Sequence, residues 1–203
     1  MEVYSFRTVL QAADSIYKEK GNSFLAFVSP VSSETEIKAA IESLKKKYFD
    51  ARHHCFAWTL SPEKKHFRAF DDGEPNHSAG DPILGQIRSR DLTDVLVVVV
   101  RYFGGTKLGV GGLISAYKTA ASEALDKAGI VERDVVSKIQ LTYDYISTPE
   151  IMKVVKDFDL TIVRQDFADR CALELEVALK SKPALIEKLQ LMRSMGSLIE
   201  IKN

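Results

Sequence analysis

Residues 94–103 read DVLVVVVRYF, with valine or leucine at every position from 95 to 100. A sheet with one wet face imposes alternation, whereas a strand buried on both faces reads as a continuous β-branched run. The segment is therefore expected to be a central strand with cover on two sides.

The neighbouring segments read as further strands and as helices that pack on them. NSFLAFVS (22–29) is a strand that Pro30 stops, and SSETEIKAAIESLKKKY (32–48) is a helix. Ser33 at its N-cap and Glu36 three residues on make a capping box, while Ile37, Ile41 and Leu44 repeat on one face. HCFAWTL (54–60) alternates, with Phe56, Trp58 and Leu60 on one side, and FRAF (67–70) is its expected hairpin partner. A polar loop, DDGEPNHSAGDP, leads to a short helix from Pro82 to about Arg90 that Asp81 is placed to cap. After a glycine-rich stretch, a helix from about Leu113 to Lys127 ends at Gly129.

From residue 136 the rhythm changes. Strands at 136–145, 159–167, 171–180 and 197–202 alternate with helices at 148–158 and 183–195; Thr148 is the expected cap of the first helix, with Pro149 at N1. This βαββαβ order is that of a ferredoxin-like unit, an antiparallel sheet with two helices on one face. The chain reads as α+β with two domains, 1–132 and 133–203, joined at ERD (132–134).

Composition excludes several classes. With 45% apolar and 28% charged residues the chain is neither disordered nor membrane-like, and no run approaches the roughly 20 apolar residues that cross a bilayer. MEVYSFRTVLQAAD lacks a basic region followed by a continuous apolar stretch, so no signal peptide is read and a cytoplasmic location is expected. The two cysteines, Cys55 and Cys171, are too few for a disulfide framework or a four-cysteine zinc site and are expected to be buried. Formal net charge is zero, and the balance holds on either side of residue 132. A globally basic nucleic-acid binder is not indicated, so any phosphate contact must come from a local patch.

The densest chemical signal is RYFGGTKLGVGG (101–112), in which Gly104, Gly105, Gly109, Gly111 and Gly112 lead from a strand into a helix. It is not a Walker A loop, because Lys107 is preceded by threonine and followed by leucine. Nor is it the dinucleotide fingerprint, because GVGGLI has isoleucine where the third glycine belongs. What remains is a helix start with free N–H groups that favour an anion, or a tight corner that needs glycine for close packing. Arg101 and Lys107 flank the turn, with Tyr102, Phe103 and Tyr117 nearby, a mixture that suits stacking and phosphate neutralisation; Phe103 fits a core position equally well. Asp71, Asp72 and Glu74 could hold a divalent cation through oxygen, or serve as turn residues around Gly73. On a strand His53 and Cys55 share one face and His54 takes the other, where it reads as a packed side chain beside Phe56 and Trp58. His77 facing Asp71 or Asp72 is the only general-base arrangement in reach, with no signature spacing behind it.

HHCFAW, DDGEP followed by AGDPIL, and TDVLVVVVRYFGGTKLGVGGLISAY resemble the IMPACT family, in particular its YigZ-like bacterial members. The resemblance extends over both domains. It implies an N-terminal split-βαβ domain similar to the fourth domain of elongation factor G, a C-terminal domain similar to that factor's ferredoxin-like fifth domain, and a role in translation. The family's characteristic surface falls here on Asp71, Asp72, Gly73, Glu74 and Pro75 together with Arg101, Tyr102, Phe103, Gly104 and Gly105. The chain departs from it at Asn76, His77 and Ser78, where the family has Ser-Gly-Thr, and at Arg52, where it favours threonine.

The expected function is that of a non-enzymatic binding protein that regulates translation through RNA or ribosome-associated contacts, without DNA sequence specificity, a membrane, a cofactor or a resident metal. Its contact residues are expected to be Arg101, Tyr102, Gly104, Gly105, Lys107, Gly111, Gly112 and Lys118. Two alternatives stay open. One is a magnesium-dependent phosphate-ester or nucleotide enzyme that uses Asp71, Asp72 and Glu74 with the glycine turn. The other is a protein–protein adaptor that offers the open sheet face of the second domain.

Overall fold

The computed structural model describes residues 2–202 and divides into two units, Ser5–Arg133 and a second that runs from Asp134 and includes Tyr4. The first carries, in order, β1 (Ser5–Val9), β2 (Ala13–Glu19), β3 (Asn22–Pro30), α1 (Glu34–Lys47), β4 (His53–Leu60), β5 (His66–Phe70), α2 (Gly80–Ser89), β6 (Val95–Tyr102), α3 (Gly109–Ala128) and β7 (Ile130–Asp134). Five of its strands form one sheet in the order β2-β3-β6-β4-β5, with antiparallel neighbours throughout.

The valine run is explained by the position of β6 at the centre. Val95, Val97 and Val99 join Phe24, Cys55, Ile83, Ile87 and Tyr117 in a core under α2 and α3. Leu96, Val98 and Val100 join Ile37, Phe56, Trp58 and Leu60 in a second core under α1. Both faces are dry from Val95 to Val100, so an unpaired polar residue is disfavoured on either. β3 and β4 each run antiparallel to β6 and therefore parallel to one another, with α1 crossing between them and β6 lying in the gap.

Several local expectations need correcting. α3 begins at Gly109, four residues before Leu113, because its buried stripe of Leu113, Ala116, Tyr117 and Ala120 holds the helix against the sheet and carries it back through the glycines. α2 begins at Gly80, so Asp81 lies inside the first turn and does not cap it. Residues 132–134 lie within β7, which pairs with β1 in a two-stranded sheet, and the division between the two units falls there, after Arg133. β1 and β2 had no clear signal in the sequence, since β2 is a charged edge strand whose Ile16 faces out.

The second unit holds β8 (Val136–Tyr143), α4 (Thr148–Asp157), β9 (Thr161–Phe167), β10 (Cys171–Ala178), α5 (Lys182–Ser194) and β11 (Ile199–Lys202). Its antiparallel sheet has the order β11-β8-β10-β9. Ile139, Leu141, Leu173 and Leu175 point to one face, where Ile151 and Val154 of α4 and Leu185 and Leu189 of α5 cover them. The alternate residues Lys138, Gln140, Glu174 and Glu176 face away from that core. Thr148 lies within α4 and does not cap it; Ser147 holds the cap position, but its side chain accepts no amide of the helix. Among the described residues no helix is long and apolar enough to cross a membrane.

Candidate functional site

A buried polar cluster sits where the ends of β3, β4 and β6 meet the 71–75 loop. Glu74 Oε1 accepts from Arg101 Nη1 at 2.6 Å and from the Tyr117 hydroxyl at 2.8 Å, and both members of the ion pair are under 10% exposed (8% for Arg101, 4% for Glu74). Arg101 Nη2 donates to Asn22 Oδ1 at 2.8 Å, and Asn22 Nδ2 in turn donates to the Thr106 carbonyl at 3.0 Å. Cys55 Sγ lies 3.3 Å from the Tyr117 hydroxyl and 3.0 Å from the Asp71 carbonyl. Burial pushes both the Cys55 thiol and the Tyr117 phenol far up, so neither ionises in the working pH range and Cys55 is no nucleophile. Arg101 is therefore not a free cation at the glycine turn. Strand alternation turns it toward α3, and Glu74 neutralises it there.

The other two carboxylates of the loop are also committed inward. Asp71 Oδ1 accepts from the Ala79 and Gly80 amides at 3.0 and 2.8 Å and Oδ2 from the His77 amide at 2.9 Å, so Asp71 caps α2 from outside the helix. Asp72 Oδ2 accepts from the His54 amide at 2.7 Å, and its carbonyl oxygen lies 2.9 Å from His53 Nδ1. The three acids face three different sets of donors, and among the described residues no group of three or more acidic, histidine or cysteine side chains converges as metal ligands would. The magnesium alternative thus has no convergent ligand set to rest on. The His77 ring bonds Asp81 Oδ2 at 2.6 Å on the surface and does not face Asp71 or Asp72 as a base.

Around the glycine turn the expected contact residues separate. Gly104 packs its backbone against Gly21, where any Cβ would be driven into the Gly21 carbonyl oxygen. Tyr102 lies on the opposite sheet face from Arg101 and donates to Asp50 Oδ1 at 2.7 Å. Lys118 is exposed on α3, about two turns beyond its start, and does not line the groove described next. Lys107, Gly105 and Gly111 are exposed, and Gly112 is half-buried. Phe103, an alternative core residue, is 53% exposed. It forms one wall of a groove of about 400 Å³ that also presents Arg52, Lys107, Leu108, Val110 and Leu113, with Arg101 among its lining residues.

The model of the Impact N-terminal domain matches residues 20–125, more than half of the chain. The chain belongs to the IMPACT family. The IMPACT family member YvyE of Bacillus subtilis is 33% identical over 185 residues, covering 91% of this chain and 85% of that protein. YigZ of Escherichia coli, another family member, is 32% identical over 150 residues, 73% of this chain and 74% of its own. A solved structure described only as a hypothetical protein is similar over 97% of this chain and 96% of its own, with a TM-score of 0.73 and 26% identity.

In this IMPACT family chain no local pattern marks Asn22, and Arg52 stands out only as a departure from the threonine the family favours. Arg52 precedes a strand and Asn22 opens one, and only the folded sheet carries both to the end of β6. His54, by contrast, is packed as its strand face required: its side chain is 7% exposed, with Nε2 3.1 Å from the Tyr48 carbonyl. Burial lowers its pKa below the usual 6.5, with Asp72 only partly opposing the shift. The unfolded chain then takes up this proton first as pH falls, so the contribution is intact above 6.5 and is lost below it. Urea midpoints of the native protein are expected to drop between pH 7.5 and 5.5 more than those of His54→Gln; parallel curves would refute this.

Proposed function

We propose that this IMPACT family member is a cytoplasmic, non-enzymatic protein that acts in translation by touching RNA or a ribosome-associated surface through the groove at the start of α3. We further propose that its first unit is similar to the fourth domain of elongation factor G and its second to that factor's ferredoxin-like fifth domain. Family membership supports the link to translation. The observation that carries the contact itself is the exposed Lys107 beside Arg52 at a helix start that has no side-chain cap and no acidic residue in its first turn. Such a terminus leaves N–H groups and a partial positive charge facing out. Asp71 and Asp72 are committed away from the groove, and Glu74, which does line it, has its charge offset there by Arg101.

With zero net charge the chain should bind bare RNA weakly, with dissociation constants of about 10⁻⁴ to 10⁻⁶ M at physiological salt. Lys107→Glu is expected to weaken binding and to reduce the slope of log affinity against log salt by about 0.7, the value for one lost phosphate contact on a single strand. Identical titrations for the two proteins would remove this site.

An adaptor role has an observation of its own. Near the paired ends of β8 and β11, the second unit exposes Tyr145 at 75%, Ile146 at 86% and Leu198 at 67%. Mass spectrometry of the partners retained before and after ribonuclease treatment separates the readings: loss on digestion favours RNA, and persistence favours the adaptor.

A further inference from the structure

We infer that the groove takes one unstacked nucleotide of a single-stranded RNA, with its phosphate at the start of α3 and its base against Phe103, an inference that rests on the RNA reading above. Three independent features meet here. The first is charge. The amides of Gly109, Val110 and Gly111 precede the first intrahelical bond and have no acceptor among the described residues, and Arg52 and Lys107 stand beside them.

The second is an unmet donor beneath. Arg101 lines the groove with its side chain 8% exposed; two of its nitrogens are bonded to Glu74 and Asn22, but Nε–H has no acceptor. A donor left unpaired at this depth is rare in a folded chain. The third is shape. A site for phosphate alone would need only cations and amides, yet the lining is mostly apolar and Phe103 stands half-exposed. The Arg101 guanidinium lies 5.8 Å from the centre of that ring, which steadies the ring for a flat ligand. An anion joined to a planar apolar body describes a nucleotide, and bases stack on such rings whatever their sequence.

Gly111 adds to the case. No atom outside its own turn lies within 4 Å of where a Cβ would stand, and its φ is ordinary. Alanine there should favour the helix, so nothing in the fold asks for glycine. A ligand that approaches the backbone does.

The test uses the full chain and two labelled probes, a uridine pentanucleotide and an abasic sugar–phosphate pentamer of equal charge. The native protein should bind the pentanucleotide roughly 5- to 150-fold more tightly than the abasic pentamer, the range expected for one stacked base. Phe103→Ala should erase that preference and leave abasic binding unchanged. Gly111→Ala should raise the melting temperature of the first unit by roughly 2–4 °C while weakening both probes, so its loss of binding cannot come from unfolding. Equal affinity of the native protein for the two probes, or undiminished binding by Gly111→Ala, overturns the inference. If Lys107→Glu still weakens pentanucleotide binding in that case, RNA is held by its backbone alone and the broader reading survives. Displacement of the pentanucleotide by hexaglutamate at equal concentration would assign the groove to an acidic peptide and also overturn it.

Discussion

Glu74→Ala should lower the stability of the first unit by about 3–5 kcal/mol, the usual cost of leaving a buried charge without its partner. The size follows from what the carboxylate does. It lies 2.6 Å from Arg101 and 2.8 Å from the Tyr117 hydroxyl, with 4% of its side chain exposed. Removing it strands a guanidinium that cannot shed its proton and a phenol whose hydroxyl loses its acceptor. The pair itself need not be a large net gain, because desolvation offsets most of the attraction. A double variant, Glu74→Leu with Arg101→Met, should therefore recover most of what the single change loses. His77→Ala is the control: its bond to Asp81 is exposed, and the change should stay within about 1 kcal/mol. Urea unfolding followed by circular dichroism measures all three. A Glu74→Ala protein within 1 kcal/mol of native would mean that the cluster is loosely held and that Arg101 is free to swing into the groove.

The sheet and its helices were legible because their signals are local. Ser33 accepts the Glu36 amide at 3.3 Å as a capping box requires, although the Glu36 carboxylate reaches back to the Ser32 amide, one residue earlier than the simple motif has it. The valine run and the alternation in β10 report their own burial. The candidate site was legible only in outline. Arg101 and Glu74 stand 27 positions apart, and nothing in either local pattern says that they pair. Two cations flanking a glycine turn look equivalent on paper, yet strand geometry buries Arg101 while the loop after it exposes Lys107. The acidic loop misled for a similar reason: three carboxylates within four residues look like a ligand set until a positive φ at Asp72 and Gly73 turns them apart. Arg52 is noticeable in the sequence only as a departure from the family's threonine, because a lone arginine before a strand carries no pattern that would place it at the groove.

The glycines divide along the same line, and substituting them one at a time shows which belong to the fold. Gly104→Ala is expected to cost about 3 kcal/mol or more, the upper end for overpacking, because the atoms in the way are the Gly21 carbonyl and the Asn22 amide, and backbone cannot rotate aside. The damage should spread, since the Gly104 amide and Arg101 share the Asn22 side-chain oxygen as acceptor, at 3.4 and 2.8 Å. Pushing the loop outward pulls Asn22 from Arg101 and reopens the cluster that Glu74 closes. The two substitutions therefore act on one network, and Gly104→Ala combined with Glu74→Ala should cost clearly less than the sum of the two measured singly. A double-variant cycle by chemical denaturation tests this, and strict additivity would show that the glycine contact and the ion pair are independent. Gly111→Ala, two residues beyond the positive-φ Gly109, should move stability the other way, since that site has open space and helical backbone. Opposite signs at positions 104 and 111 would separate the glycine that the corner needs from the glycine that the corner does not explain.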